Sequence, residues 1–286
     1  MTILDHKFEA ASSRVIGQQR LFEGCAIEGM KSLSAGRVDR IVTSPPYNLD
    51  IAYDRYDDGA TRDDYLSWID QAAAGMARVL ATDGSLFLNM GSSLKDPTIP
   101  YQVMAVFQKY FVLQNNIIWT KSLWVEAAEK TFGHFKPINS PRFINHNFEH
   151  LFHFTHDGTV RLDRLAVGVP FEHASNIARF GHTENVRCRG NVWHLPYKTV
   201  RSRRTGRGNH PATFPESLPD MCLRLSGLET PRGPALVLDP FVGTGTTLVA
   251  AEKLGLPGLG FDVSADYLDF AEERIREQQT AAIASY

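Results

Sequence analysis

Apolar residues in the first part of the chain follow two alternating spacings. A β-branched run at 38–43 is stopped by two consecutive prolines, which predicts a buried strand that ends in a rigid loop. Apolar residues then recur at steps of three and four from 66 to 80, as on one face of a helix. Another apolar run at 85–91 ends in glycine and predicts a second strand. These residues therefore predict one strand, helix, strand unit.

The same alternation continues along most of the remaining chain. Thr213-Phe-Pro-Glu216 has the pattern of a capping box with proline in the first turn, which predicts the start of a helix that runs through Leu225. Strands that alternate with helices indicate an α/β fold, Rossmann-like in type, with a mostly parallel sheet and helices on both faces. The other predicted elements are helices at 99–111, 245–254 and 264–279 and strands at 112–120, 148–155, 235–239 and 258–262.

Regular spacing is lost between residues 155 and 209, where Gly, His, Asn and Arg separate short apolar pieces. We interpret residues 156–209 as an insert that carries specificity. The insert divides one domain into an amino-terminal part, 1–155, and a carboxy-terminal part, 210–286.

The composition is that of a globular protein, since 43% of the 286 residues are hydrophobic and 22% are charged. The first residues carry charges and lack the long apolar stretch of a signal peptide or a membrane helix, so we expect a cytoplasmic protein. Cys25, Cys188 and Cys222 show no Cys-x-x-Cys spacing, which indicates neither a disulfide framework nor a thiolate zinc site.

Charge is unevenly distributed along the chain, although the formal net charge is only −2. Between Asn185 and Pro215 there are seven basic residues and neither Asp nor Glu. A local basic surface is what binding to nucleic-acid phosphates requires, and a solvated arginine-rich loop is the alternative interpretation. The candidate phosphate-binding residues are Arg187, Arg189, Lys198, Arg201, Arg203, Arg204 and Arg207.

A glycine-rich turn, Asp239-Pro-Phe241-Val-Gly243-Thr-Gly245-Thr, joins a predicted strand to a predicted helix. Such a turn lies at the carboxyl edge of a parallel sheet, where backbone N–H groups are free to bind a ligand and glycines let the ligand come close to the main chain. The turn lacks the third glycine of the dinucleotide fingerprint and the lysine of a phosphate loop. Asp262, 23 positions after Asp239, ends the next strand and supplies a carboxylate for a ribose diol. A nucleoside without a pyrophosphate fits this pattern, and S-adenosylmethionine is one.

A second candidate site, Ser44-Pro45-Pro46-Tyr47, follows the strand at 38–43. Two prolines fix an extended course and remove two N–H donors, which leaves carbonyl oxygens such as that of Pro45 directed into a cleft. This carbonyl and the Ser44 hydroxyl make two acceptors for an amino group, and the Tyr47 ring offers a surface for stacking on an unpaired base. Taken alone, the same sequence is also compatible with a rigid surface turn.

With these two motifs the chain resembles the DNA amino-methyltransferases, specifically the beta class, in which the catalytic motif precedes the cofactor motif. The resemblance covers nearly the whole chain. Ser44-Pro45-Pro46-Tyr47 matches the family's catalytic motif, and the insert matches its target-recognition region in position. The implied cofactor-binding residues are Asp239, Phe241, Gly243, Gly245, Thr246 and Asp262, together with His210, Pro211 and Phe214 in a segment that closes over the methionine moiety.

The resemblance implies methyl transfer from S-adenosylmethionine to the exocyclic amino nitrogen of a base flipped out of double-stranded DNA. Serine at the first motif position favours cytosine N4 as the target, and adenine N6 stays open. Two acceptors on the amino group favour a pyramidal nitrogen, so direct transfer needs no covalent enzyme intermediate. Methylation of cytosine C5 is disfavoured because none of the cysteines follows a proline.

Two other functions stay open as alternatives. One is an RNA or small-molecule methyltransferase with the same cofactor loop, and the other is a DNA-binding protein on a decayed methyltransferase fold. The basic insert argues against a small substrate, and the intact motifs argue against decay. The resemblance is compatible with a nucleoid-associated protein of a bacterial or archaeal restriction-modification system, with a cognate restriction endonuclease or a second copy of the chain as partner.

Four histidines between residues 146 and 156 recur at steps of four, three and three, which on a helix would align metal ligands. The phenylalanines between them indicate a strand instead, where alternate residues point to opposite faces, so we expect no metal site. Trp119 and Trp124 are predicted to pack in the core or in the wall of a cleft.

Overall fold

The computed structural model describes residues 10–48, 60–94, 96–133, 138–196 and 214–284. Within these ranges the strands are β1 (Ser12–Ile16), β2 (Gln19–Glu23), β3 (Val38–Thr43), β4 (Leu80–Met90), β5 (Val112–Thr120), β6 (Ser122–Val125), β7 (Lys130–Gly133), β8 (Phe148–Thr155), β9 (Val192–His194), β10 (Glu229–Thr230), β11 (Gly233–Pro234), β12 (Val237–Asp239) and β13 (Gly258–Asp262). The helices are α1 (Ala26–Ser32), α2 (Arg62–Val79), α3 (Ile99–Phe107), α4 (Ser175–Arg179), α5 (Ser217–Ser226), α6 (Thr246–Lys253) and α7 (Ala265–Ala284).

One large sheet with the order β1-β2-β13-β12-β3-β4-β8-β5-β9 organises the described chain. The strands from β2 to β4 in this order are mutually parallel. Strand β8 is antiparallel to both of its neighbours, so β5 runs in the same direction as β4, and β9 is parallel to β5. The carboxyl ends of the parallel strands and the amino end of β8 therefore meet at one side of the sheet, which we call the carboxyl edge. The predicted α/β fold is confirmed.

Alternation of side chains across the sheet creates an apolar layer on each face. In β4, Leu86 and Leu88 pack with residues of α1, α2 and α3, whereas Phe87 packs on the opposite face with residues of α5 and α6. Helix α7 packs against α6 and β2 through a third cluster that includes Leu268 and Ile275. Because both faces are covered, the parallel strands place apolar side chains on both sides, as such sheets require.

Most predicted elements are confirmed, and the strands at 38–43, 112–120, 148–155 and 258–262 have the predicted bounds. The capping-box prediction is wrong for α5, because Glu216 occupies the N-cap position and its side chain makes no capping hydrogen bond. Pro219, rather than Pro215, is the proline of the first turn, where its missing N–H is tolerated.

The insert contributes to the sheet as well as to the surface. Strand β9 extends the sheet beside β5, and Trp193 of β9 is buried together with Trp119. The indole N–H of Trp119 donates to the carbonyl of Leu195 at 2.8 Å, which ties the two segments together. Trp119 is thus a core residue as predicted, whereas Trp124 is exposed on the β6–β7 hairpin. No helix in the described ranges is long and apolar enough to cross a membrane.

Close packing of α1 on the sheet depends on Gly29, where a Cβ would lie 2.3 Å from Cε1 of Phe261. We expect Gly29→Ala to lower the free energy of unfolding by about 1–3 kcal/mol, because the ring has little room to move. Gly75→Ala is the matched control in α2, where a Cβ would meet only the terminal methyl of Met30, at 2.9 Å. That methyl can move, and the control should gain up to ~1 kcal/mol of helix propensity. Urea denaturation compares the two variants, and equal stabilities would contradict the expectation.

Candidate functional site

The two sequence motifs lie side by side at the carboxyl edge. Ser44 follows β3, Asp239 ends β12, and these two strands are parallel neighbours in the sheet. The Thr43 hydroxyl donates to Oδ1 of Asp239 at 2.7 Å, and both side chains are buried. One hydrogen bond therefore joins the strand end that precedes the predicted catalytic motif, residues 44–47, to the first residue of the predicted cofactor loop, residues 239–246.

Asp239 is a buried acidic residue held by several donors. Its Oδ1 also accepts the backbone N–H of Phe241 at 3.1 Å, which shapes the first turn of the loop. Burial raises the pKa of Asp239 to about 6, more than these hydrogen bonds lower it, and the nearby charge of Asp262 raises it further. The carboxyl group thus anchors the loop from beneath, and its contact with the cofactor stays a prediction.

The glycine turn above Asp239 requires left-handed backbone conformations. Gly243 and Gly245 have φ angles of 48° and 80°, and residues other than glycine rarely adopt this backbone conformation. Oδ2 of Asp262 accepts the N–H of Gly243 at 2.9 Å, and its Oδ1 accepts the N–H of Ser264 at 2.8 Å. Asp262 therefore fixes the turn with both of its carboxylate oxygens.

The far side of the loop is held by α7. Nη1 of Arg274 donates to the carbonyl of Thr244 at 2.7 Å and to Oγ1 of Thr246 at 2.9 Å, while its Nη2 donates to Oε1 of Glu216 at 2.7 Å. One guanidinium thereby connects the cofactor loop, the first residue of α6 and the start of α5. Sequence reasoning missed Arg274 because it lies in a helix whose spacing indicated only packing.

Aromatic residues close the other side of the loop. The rings of Phe241 and Trp68 have centroids 5.2 Å apart at an interplanar angle of 46°. Phe214, which belongs to the predicted methionine-side segment 209–215, packs against the apolar cluster between the sheet and α5. His210 and Pro211 lie outside the described residues.

The catalytic motif is fixed by hydrogen bonds on both of its sides. The Tyr65 hydroxyl of α2 donates to the carbonyl of Pro46 at 2.8 Å. The Ser44 hydroxyl and the Tyr47 hydroxyl are 2.8 Å apart. Tyr47 is only 7% exposed and its ring packs in the core of this structure, and its stacking on an unpaired base stays a prediction. The Tyr47 hydroxyl joins a polar network.

Three residues outside the predicted motifs complete this network. The Tyr47 hydroxyl donates to Oε2 of Glu149 at 3.1 Å, and the Asn89 amide donates to the same oxygen at 2.8 Å. Lys121 forms an ion pair with Oε1 of Glu149. In the sequence, Asn89 is marked only as a polar residue at the carboxyl end of an apolar strand, β4. Glu149 is marked only as an acidic residue at the amino end of an aromatic strand, β8.

Two of the seven candidate phosphate-binding residues are described. Arg187 is exposed and donates to the neighbouring carbonyl of Cys188 at 3.2 Å, whereas half-buried Arg189 donates to the carbonyl of Val167 at 2.9 Å. Arg189 therefore supports the fold of the insert, and Arg187 is the more accessible cation. The remaining candidates lie outside the described residues: Lys198, Arg201, Arg203, Arg204 and Arg207.

The histidine-rich segment is strand β8, as predicted, so His150 and His153 point to opposite faces. His153 lies between Asn115 and Ser85, at 3.0 and 3.1 Å, and stacks on Phe87 with centroids 4.6 Å apart. Burial lowers its pKa to about 4. The described part of the chain contains no group of three or more His, Cys, Asp or Glu side chains placed to hold a metal ion.

Solved structures share this architecture. The PvuII DNA methyltransferase (cytosine-N4-specific) superimposes with a TM-score of 0.65 at 18% identity, over 91% of this chain and 90% of its own. TTHA0409 from Thermus thermophilus, a putative DNA modification methylase solved in complex with S-adenosyl-L-methionine, superimposes with a TM-score of 0.59 at 23% identity, over 90% and 93% of the two chains. The fold is that of the S-adenosylmethionine-dependent methyltransferases.

A family model described as DNA methylase, N6_N4_Mtase, matches residues 38–273, and the chain belongs to this family. Type II methyltransferase M.HpaI of Haemophilus parainfluenzae is 29% identical over 260 residues, which span 90% of this chain and 74% of the relative. The DNA adenine methyltransferase YhdJ of Escherichia coli (strain K12) is 27% identical over 259 residues, 89% and 82% of the two chains.

The buried carboxyl of Asp239 predicts a pH-dependent stability. Because its pKa is higher in the folded protein than in the unfolded chain, its contribution to stability is present below about pH 4 and is lost as pH rises through about 6. Asp239→Asn keeps an acceptor oxygen and removes the ionisation. We expect its free energy of unfolding, relative to the parent, to increase by about 3 kcal/mol between pH 4 and pH 7.

Urea denaturation at several pH values measures this difference. Asp269→Asn, at an exposed position of α7, is the control and should show no comparable increase. If the difference in free energy of unfolding between Asp239→Asn and the parent does not change with pH, the buried carboxyl ionises as easily as an exposed one.

Proposed function

We propose that this chain transfers a methyl group from S-adenosyl-L-methionine to the exocyclic amino group of a base flipped out of double-stranded DNA, with cytosine N4 as the target. The observation that carries the proposal is the hydrogen bond between Thr43 and Asp239, which holds the acceptor pair of the catalytic motif next to the cofactor loop. The beta-class assignment and the choice of cytosine are part of the same proposal.

The loop residues suit the proposed cofactor. Asp262 offers acceptor positions for ribose hydroxyls beside the turn at Gly243, and Phe241 with Trp68 forms an apolar wall. The complex of TTHA0409 with S-adenosyl-L-methionine supports the same ligand here. When bound, this cofactor supplies a methyl group activated by a sulfonium sulfur.

The catalytic motif would act on the base through two acceptors. The carbonyl of Pro46 is occupied by Tyr65, which leaves the carbonyl of Pro45 and the hydroxyl of Ser44 as the acceptors directed at the substrate. Both accept hydrogens of the amino group, which localises the nitrogen lone pair and orients it toward the methyl group. The nitrogen takes the methyl group in line as the carbon–sulfur bond breaks, so the chain needs no nucleophile of its own, and the methylated nitrogen then loses one hydrogen as a proton to solvent.

Two observations bear on the choice of base. The Ser-Pro-Pro-Tyr sequence and the structural similarity to the cytosine-N4-specific PvuII enzyme favour cytosine. Adenine N6 is the second candidate, because YhdJ is described as a DNA adenine methyltransferase.

Incubation of the protein with unmethylated duplex DNA and isotopically labelled S-adenosylmethionine, followed by mass spectrometry of the nucleosides, tests the proposal. We expect labelled N4-methylcytosine. Labelled N6-methyladenine as the sole product would overturn the choice of base, and 5-methylcytosine would overturn the mechanism. A parallel incubation contains both DNA and RNA. Label found in the RNA but not in the DNA would overturn the choice of DNA as the substrate.

Ser44→Ala removes one of the two acceptors and keeps the Pro45 carbonyl. We expect the methyl-transfer step to slow by about 10²–10³-fold, as for other lost transition-state hydrogen bonds. Cofactor affinity measured by calorimetry should stay at the parent value. Transfer at the parent rate would exclude the Ser44 hydroxyl as an acceptor.

The basic segment is proposed to contact DNA phosphates. Replacing Arg201, Arg203 and Arg204 together by Gln should weaken binding to all DNA sequences and reduce the slope of log K against log salt by up to about three, since fewer counterions are released. Arg276→Gln, at an exposed position of α7, is the control. Fluorescence anisotropy over a salt series measures both slopes, and an unchanged slope in the triple variant would place the phosphate contacts elsewhere.

A further inference from the structure

A chain of hydrogen bonds connects Ser44 to a carboxylate that neither motif contains. The chain runs from the Ser44 hydroxyl to the Tyr47 hydroxyl at 2.8 Å, and from there to Oε2 of Glu149 at 3.1 Å. Asn89 and Lys121 hold the carboxylate from two further sides. The reacting end of the catalytic motif is thus coupled to the amino end of β8.

The direction of each hydrogen bond in this chain follows from counting hydrogens. A carboxylate only accepts, and a tyrosine hydroxyl carries one hydrogen. That hydrogen is donated to Glu149, so the oxygen of Tyr47 accepts in the 2.8 Å bond and Ser44 donates. Ser44 has then used its one hydrogen, and it presents only lone pairs toward a substrate.

The packing around the chain keeps this direction fixed. A Cβ on Gly91 would lie 2.7 Å from Cε2 of Tyr47 and 3.0 Å from Oε1 of Glu149, so neither side chain has room to rotate away on this side. The Glu149 side chain is only 12% exposed, and the ammonium of Lys121 lies 5.2 Å from the ring centroid of buried Trp119. The carboxylate is therefore positioned by rigid elements of the sheet.

We propose that Glu149 is a positioning residue that acts through Tyr47 to make Ser44 an obligate hydrogen-bond acceptor. The consequence is specificity for an amino group over a carbonyl at the same place on the base, since a carbonyl would face the Ser44 lone pairs without a hydrogen between them. The site thereby discriminates against deaminated bases. This inference rests on the proposed function and adds a residue that the motifs do not contain.

The test compares duplexes that carry either the target base or its deaminated analogue, uracil for cytosine or hypoxanthine for adenine. Each base is placed opposite an abasic site so that base pairing contributes equally, at the position identified by the product analysis. The parent should bind the amino base about tenfold more tightly than the carbonyl analogue, the discrimination typical of a satisfied hydrogen bond at a base edge.

Glu149→Gln can donate a hydrogen to Tyr47 and so permits the reverse direction along the chain. We expect it to lose most of the amino preference and to slow single-turnover methyl transfer by about 10–10²-fold. Tyr47→Phe, which interrupts the chain, should do the same. The double variant should behave like Tyr47→Phe alone, because Glu149 acts only through Tyr47. Glu277→Gln, at an exposed position of α7, is the matched control.

A merely structural role of Glu149 would weaken binding of both duplexes alike and would add to the effect of Tyr47→Phe. Either result would overturn the inference, as would a retained amino preference in Glu149→Gln. If Glu149→Gln fails to fold, Glu149→Asp replaces it, because the shorter side chain withdraws the carboxylate from Tyr47, and an amino preference at the parent level in Glu149→Asp would overturn the inference. A parent that methylates no DNA overturns the proposed function instead, which separates the two failures.

Discussion

Parallel pairing of β3 with β12 is the constraint on which the chemistry of this chain depends. It brings the residue before the catalytic motif and the first residue of the cofactor loop to one edge of the sheet, although most of the chain separates them in sequence. Thr43 and Asp239 then connect the two strand ends within the core. Every other feature of the site is arranged around this pair, from the glycine turn above it to the polar network beside it.

The fold and both motifs could be predicted from the sequence because they depend on local patterns. Strands such as β3 and β13 are short, mostly apolar or β-branched runs with clear stops, and a glycine-rich turn between a strand and a helix is typical of a ligand-binding loop. Strand β9 could not be predicted, since three residues carry no measurable period and their place beside β5 depends on tertiary pairing. The β1–β2 hairpin was missed because polar residues interrupt the apolar ones in both strands, which leaves no clear run in either.

Residues that act across strands were also beyond sequence reasoning. Glu149 and Asn89 become neighbours only when β8 inserts between β4 and β5, an arrangement that the order of elements does not reveal. Tyr47 was singled out in the sequence for its ring, whereas its burial in the structure directs attention to its hydroxyl. In both cases the missing information was the spatial order of the strands.

The position of β13 in the sheet has a consequence for how the chain reaches its native state. This strand lies between β12 and β2, so residues 19–23 gain a parallel neighbour only from residues 258–262. Such long-range pairing delays closure of a sheet, because a large loop must be ordered before any contact stabilises it. During synthesis, the β1–β2 hairpin therefore cannot pair with the sheet until residues 258–262 have been made. Asp262 lies on the same strand but only 19 residues from Gly243, so the glycine turn can acquire its carboxylate within the local β12-α6-β13 unit before the hairpin joins the sheet.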